Sequence, residues 1–218
     1  MPVVKHIKYP VDDAGKPRKG ARPFIVDPAT EAAQLSPWSV SSLGFGKFMC
    51  DIFDEWVRGD VGRYYVGLFD ATLANWCGVQ PGTCVYCRTC GGNAIIEHNG
   101  DFYPCDHFVY PKYRLGNITE QSIRSMAESP AQVRFGIDKR NTLPNKCFRC
   151  KWLFACNGEC PKHRFNKTEN GDTGLNALCE GYCKFFDHTA PYMEKMKELL
   201  ENEQPPALII PWARMRRP

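Results

Sequence analysis

Ten of the twelve cysteines fall in the 100 residues from Cys84 to Cys183. They form two groups. The first is Cys84-x2-Cys87-x2-Cys90, followed by Cys105. The second is Cys147-x2-Cys150-x5-Cys156-x3-Cys160, followed by Cys179 and Cys183. In a short secreted chain such a density points to a disulfide scaffold. Here the stretch Met1–Pro10 has neither the apolar core nor the small-residue cleavage site of a signal peptide. A cytoplasmic setting is therefore expected, where thiols stay reduced and the same density favours metal ligation. Two metal chemistries fit. Tetrahedral zinc accepts four thiolates, and C-x2-C pairs build its ribbons. Iron–sulfur clusters also take four cysteines and tolerate wider, less regular spacings, because the cluster itself bridges its ligands. His98, His107, His163 and His188 sit outside compact ligand spacings, although His107 and His163 adjoin Cys105 and Cys160. On spacing alone clusters stand modestly ahead of zinc, and both remain open.

The elements that must position these thiols can be read in part. Phe45, Phe48, Met49, Ile52, Phe53, Trp56 and Val57 follow a helical period, and Gly59 is a natural stop. Cys50 lies on the flank of that stripe with no ligand-spaced neighbour and is expected to be structural. Tyr64–Phe69 reads as a buried strand, and Ala71–Trp76 as a short helix. The composition shifts at Gly78–Gly82, the expected domain boundary. Ala94–His98 and Asp101–Cys105 flank Asn99-Gly100, a pair favoured in two-residue type I′ hairpins. Ser129-Pro130 opens a helix, the serine as cap and the proline in the first turn. A last helix is expected from Lys184 to Glu203, with Phe185, Met193, Met196, Leu199 and Leu200 along one side and Pro191 as a kink. Upstream, Val3–Tyr9 is a short apolar run and Asp12–Arg22 a surface loop.

The remaining composition excludes more than it assigns. At 218 residues, 43% hydrophobic and 24% charged, the chain has one or two folded domains and is not disordered. A formal charge of +4 is too small and dispersed to indicate nucleic acid, and Arg214, Arg216 and Arg217 read as a solvated tail. No apolar stretch approaches the roughly 18 residues of a membrane span.

One order of motifs is more specific than any of these. It runs from Cys84 and Cys90 through His98-Asn-Gly-Asp-Phe-Tyr-Pro-Cys105-Asp-His-Phe108 and Leu115-Gly-Asn-Ile118 to the second cysteine group and Cys179. It resembles a SPASM domain, the twin-cluster extension of peptide-modifying radical SAM enzymes. Phe53-Asp-Glu-Trp-Val-Arg58, Phe69-Asp-Ala-Thr-Leu-Ala-Asn-Trp76, Phe135-Gly-Ile-Asp-Lys-Arg140 and Phe154-Ala-Cys-Asn-Gly-Glu-Cys-Pro161 resemble the anaerobic sulfatase-maturating enzymes in particular. The likeness runs from about Val40 to Leu200.

The resemblance implies an α+β fold: the last part of a radical SAM (β/α) barrel over residues 1–80, a small SPASM domain with a hairpin and short helices over 81–183, and a helix and tail over 184–218. It implies two [4Fe–4S] auxiliary clusters, the first on Cys84, Cys90, Cys105 and Cys160, the second on Cys147, Cys150, Cys156 and Cys179. Cys77, Cys87 and Cys183 are then left over. It makes Asp106 the catalytic base, a reading that placement beside a cluster ligand supports more weakly; a plain turn-forming Asp is the alternative. His98 and His107 are left at the surface or behind the ligands. The implied reaction turns a sulfatase Cys or Ser into formylglycine: a deoxyadenosyl radical takes a hydrogen atom from Cβ, a base takes the side-chain proton, and the remaining electron passes to a cluster.

One departure from the family pattern is plain. No C-x3-C-x2-C motif for the SAM-binding cluster occurs; Cys156-x3-Cys160 and Cys179-x3-Cys183 each lack the third cysteine. The expectation is a C-terminal fragment, inactive alone, with S-adenosyl-L-methionine and a third cluster only in the complete enzyme, a sulfatase polypeptide as substrate, a barrel-bearing chain as a further partner, and neither nucleic acid nor membrane. The competing readings are a zinc-stabilised interaction module and a SPASM part serving another peptide modification.

Overall fold

The computed structural model describes residues 6–8, 10–16, 18–20, 22, 24–25, 34–36 and 38–216. Val3, Val4 and Tyr9 of the N-terminal apolar run and Arg217 of the basic tail lie outside them. Residues 1–41 make one unit and residues 42–218 a second. In the first, strand β1 (His6–Lys8) pairs antiparallel with both β2 (Phe24–Ile25) and β3 (Gln34–Leu35), in the order β2-β1-β3. Asp12 Oδ1 accepts from the N–H groups of Ala14 and Lys16, closing a turn inside the expected loop.

Compact units thus divide at Ser41/Ser42 rather than at Gly78–Gly82, because helices α1 (Ser42–Gly59) and α2 (Gly67–Trp76) pack on the same long C-terminal helix as the cysteine-rich segment. The α1 stripe is as the period foretold for Phe45, Met49, Phe53, Trp56 and Val57, which are buried, as is Cys50. Phe48 and Ile52 are exposed. The strand expected at Tyr64–Phe69 is absent. Tyr64 and Tyr65 face solvent, the helix starts at Gly67, and Phe69, Thr72 and Trp76 carry its buried face. A continuous apolar run does not distinguish a strand from a buried helix by period, and here the spacing of 69, 72 and 76 decided it.

The cysteine-rich segment is built of short pieces. Strands β4 (Ile95–Ile96), β5 (Asp101–Tyr103) and β6 (Gly116–Asn117) form an antiparallel sheet, with Ile95 opposite Tyr103 and Phe102 opposite Gly116. The turn is not type I′, which needs positive φ at both central residues. Gly100 has φ 85° but Asn99 does not, and Gly100 N–H donates to Glu97 O. Asn99 instead uses its side chain, accepting from Asp101 N–H at 3.1 Å. Helices α3 (Ile123–Ala127) and α4 (Pro130–Asn141) follow, capped by Ser122 and Ser129, whose hydroxyls accept from the N–H groups of Ser125 and Gln132. After them come α5 (Asn145–Phe148), α6 (Leu153–Cys156), and a small hairpin of β7 (Asn166–Lys167) and β8 (Thr173–Leu175).

Helix α7 spans Cys179–Glu201, starting five residues before the expected Lys184 and containing Pro191; α8 (Ile209–Met215) closes the chain. Phe185, Met193, Met196 and Leu199 are buried along α7, whereas Leu200 is exposed. Phe53 meets Phe69 edge-on at 5.2 Å between ring centroids, and Phe69 stacks on Phe185 at 5.7 Å. Each fully buried ring of this kind contributes about 1.5–3 kcal/mol. Trp76 carries the packing onward to Trp152 and Phe154, which lie among the second cysteine group. Asn75 ties both groups to α2, donating to Tyr86 O at 3.1 Å and Ala155 O at 2.9 Å. Among the described residues no helix is long and apolar enough to cross a membrane.

Candidate metal centre

The cysteines separate in space into two sets. In the first, Cys90 and Cys105 each oppose ionisation of Cys160, and Cys84 and Cys87 both oppose ionisation of Cys90, so Cys87 also stands in the neighbourhood of Cys84, Cys90, Cys105 and Cys160. Local backbone aims them. Cys90 N–H is anchored on Gly136 O of α4 at 3.0 Å. Cys105 caps the single helical turn Asp106–Phe108, its Sγ accepting from His107 N–H. His107 Nδ1 lies 3.5 Å from Cys160 Sγ and so braces a thiol from behind.

In the second set, Cys147, Cys150, Cys156, Cys179 and Cys183 line one cavity of about 340 Å³, walled on its apolar side by Trp152, Leu153, Tyr182 and Phe186. The Cys87 thiol is engaged locally, donating to Thr83 O at 3.4 Å while Gln80 donates to its sulfur. Cys77 ends α2.

The donor chemistry of both sets fits thiolate-bound metal. Burial, then the neighbouring Asp106, pushes the Cys105 thiol up to about 12. Burial and the Glu159 charge push Cys156 to about 12 as well, and raise Cys160. Burial also raises Cys90 and Cys147. Thiols so placed ionise when a metal replaces the proton. Meanwhile the backbone is set for the thiolate. The N–H groups of His107, Trp152, Gly158 and Lys162 hydrogen-bond to the sulfurs of Cys105, Cys150, Cys156 and Cys160, each two residues upstream, and each favours the ionised form.

Two cations, the buried Lys139 and the half-buried Arg164, stand beside the thiols. Lys139 donates to Cys84 O at 2.6 Å and Val85 O at 2.9 Å. Arg164 donates to Gly158 O, Asn157 O, Glu159 O and Lys139 O. Burial lowers the pKa of both, and the thiols around them oppose that fall. Neither residue carries a signal in the sequence beyond its place in or near a motif.

Asp106 is exposed, and its Oδ1 accepts from the Cys105 thiol at 3.3 Å. It therefore sits at the open face of the first set. Cys105, Asp106 and His107 offer ligand atoms within 4.8 Å of one another, the donor mixture zinc favours. His107 Nδ1, however, is already directed at Cys160. His163, the other histidine beside a ligand cysteine, is buried and held by Glu159 Oε2 at 2.8 Å. His98 is almost fully exposed. Cys183, left over by the sequence reading, lines the second cavity. The signal was present as an i, i+4 pair with Cys179, but it becomes legible only once α7 is known to begin at Cys179.

Residues 84–151 match the family model of the SPASM iron-sulfur cluster-binding domain. The chain is 52% identical over 176 residues to the serine-type anaerobic sulfatase-maturating enzyme of Bacteroides thetaiotaomicron, covering 81% of this chain and 42% of that protein. It is 31% identical over 172 residues to the cysteine-type enzyme of Clostridium perfringens, covering 76% of this chain and 45% of the relative. Among solved structures it resembles native anSMEcpe with bound AdoMet and Kp18Cys peptide, with a TM-score of 0.65 at 27% identity over 75% of this chain and 45% of that one. It also resembles His6 tagged anSMEcpe with bound AdoMet, with a TM-score of 0.68 at 26% identity over 85% and 48%. The chain thus spans less than half the length of these relatives. Its cysteine order, the SPASM match and these alignments together place it with the anaerobic sulfatase-maturating enzymes, as a counterpart of their C-terminal portion.

Proposed function

We propose that this chain is the auxiliary-cluster portion of an anaerobic sulfatase maturase, the cytoplasmic enzyme class that oxidises a Cys or Ser of a sulfatase polypeptide to formylglycine. Residues 1–80 correspond in this reading to the end of the barrel part. S-adenosyl-L-methionine and the cluster that binds it belong to the remainder of the enzyme, whether on one chain or on a partner. Cys84, Cys90, Cys105 and Cys160 hold one [4Fe–4S] cluster, and the second set holds another. Bound there, the clusters supply an acceptor for the electron the substrate gives up.

The observation that carries this reading is the position of Asp106. It is fixed at the start of a helical turn whose cap is a proposed ligand, it is exposed, and it lies 3.3 Å from that ligand's sulfur. A base needs placement before it needs a shifted pKa. From this position its carboxylate takes the side-chain proton of the target residue.

Asp106→Asn keeps the shape and removes the basic oxygen. With the barrel part supplied by fusion or as a partner chain, formylglycine formation should fall by about 10²–10⁴-fold, the usual contribution of a general base. Iron and sulfide content should stay unchanged, because Asp106 is no ligand in this scheme. Near-normal product formation by Asp106→Asn would return the residue to a turn-forming role. Stoichiometric zinc without acid-labile sulfide in the anaerobically prepared wild-type chain would replace the cluster reading with the zinc module.

A further inference from the structure

Five thiols, one more than the four that a [4Fe–4S] cluster takes, line the second cavity. Two of them, Cys179 and Cys183, come from α7, where a separation of four residues puts both on one face, one turn apart. Both face the same cavity as the loop cysteines Cys147, Cys150 and Cys156. Cys183 is thus no bystander at the rim. The same two α7 cysteines also border an outer depression with Lys146, Asp187 and His188, so the α7 side is where the set meets solvent. Cys147, Cys150 and Cys156 do not line it.

We propose that Cys183 is a reserve ligand of the second site, interchangeable with Cys179, so that α7 can hold the cluster through either thiol. This rests on the reading that the second set binds a [4Fe–4S] cluster. The exchange is a ligand substitution without electron transfer. One iron–sulfur bond to Cys179 breaks and that sulfur takes up a proton; Cys183 gives up its proton and forms the replacement bond. Both α7 cysteines already line the cavity in which the exchange would take place. Helix geometry limits the rearrangement to rotamer changes on one turn, because neither Cα has to move far.

The test uses the full 218-residue chain, reconstituted anaerobically with iron and sulfide, in four variants: Cys179→Ala, Cys183→Ala, the double variant, and Cys156→Ala as a ligand without a neighbouring substitute. Iron and acid-labile sulfide are counted per chain, and the dithionite-reduced samples are examined by electron paramagnetic resonance. The expected result is near wild-type iron in each single α7 variant, and loss of about half the iron in the double variant and in Cys156→Ala. The reduced signal of the second cluster should shift in Cys179→Ala and stay unchanged in Cys183→Ala. If Cys179→Ala loses as much iron as Cys156→Ala, whether through ligand loss or misfolding, Cys183 cannot substitute and the proposal is overturned. Retention of full iron by the double variant overturns it equally. A wild-type chain that takes up no sulfide overturns the cluster reading itself, an outcome the single variants cannot mimic.

Discussion

Helices α1 and α7 cross so closely that Gly181→Ala should destabilise the chain although it adds only one methyl group. A Cβ at Gly181 would lie 2.1 Å from Ser42 O and 3.0 Å from Gly46 N, where ordinary contact begins at 3.4 Å. The obstacles are backbone atoms, so the helices must part by about 1 Å rather than a side chain turn aside. Overpacking of this kind costs about 1–3 kcal/mol. Parting the helices also stretches the bond from Gly181 N–H to Ser42 Oγ, now 2.9 Å, worth about 1 kcal/mol. Alanine's better helix propensity returns about 1 kcal/mol. The net expectation is ~1–3 kcal/mol of destabilisation, a fall in melting temperature of roughly 2–12 °C for a chain of this size. Anaerobic thermal unfolding of the cluster-loaded chain measures it, with Gly59→Ala as the control. Gly59 ends α1 and has no atom within 4 Å of an added Cβ, so the control should stay within about 0.5 kcal/mol. Because Gly181 lies between Cys179 and Cys183, Gly181→Ala should also release iron faster from the second site than from the first. A Gly181→Ala chain as stable as the control would refute the claim that this crossing is tight.

Lys139→Met should lower stability by about 1–3 kcal/mol, because it leaves the buried carbonyl of Val85, and that of Cys84 beside it, without their donor. It should also make the first site harder to reduce, since a positive charge beside it is lost; thermal unfolding and a reductive titration check the two effects separately. The hairpin carries a pH dependence of defined sign. Arg114, then Asn117, hold the Asp101 carboxyl below its ordinary range through hydrogen bonds, so its contribution is present at neutral pH and lost as pH falls below about 4. The difference in melting temperature between wild type and Asp101→Asn should therefore narrow on acidification through that range, and a constant difference would show that the carboxylate charge plays no part.

How much of this was legible beforehand follows from how local each determinant is. The cysteine-rich segment was legible in the sequence, but the proposed ligand positions came from the family resemblance, since C-x2-C spacing alone would count Cys87 with Cys84 and Cys90. The α1 helix could be read because its period persists for three turns. The Ser129 cap is equally local. By contrast, the start of α7 was hidden because its first turn, Cys179–Tyr182, carries no apolar stripe. That turn is helical because it packs through Gly181 against α1, at a sequence distance of over 130 residues. The strand expected at Tyr64–Phe69 failed for the opposite reason: local β propensity was present, but the buried face followed a helical period set by contact with α1 and α7. The hairpin was found and its turn type missed, since Asn99 meets the need of the turn with its side chain instead of its backbone. The bracing of Cys160 by His107 and the burial of Lys139 are contacts across more than 50 residues, beyond any reading of spacing.

The x3 gap between Cys156 and Cys160 explains how one short loop can serve both thiol sets. Asn157, Gly158 and Glu159 all have positive φ, at 47°, 71° and 54°. Such backbone is strained for Asn and Glu, at a cost of order 1–3 kcal/mol per residue, and persists only where the surroundings over-determine it. Here they do. The half-buried Arg164 guanidinium donates to the carbonyls of all three residues. The Asn157 side chain donates to Tyr86 O within the first group, and the Glu159 carboxylate is held by His163 and Asn176. The left-handed run reverses the chain between two cysteines only four positions apart, so Cys156 joins the second set and Cys160 the first. A helical or extended linker could not divide them in this way. The two sets are therefore not independent modules in series: a single half-buried cation fixes the loop they share, and any perturbation of Arg164 must be felt at both.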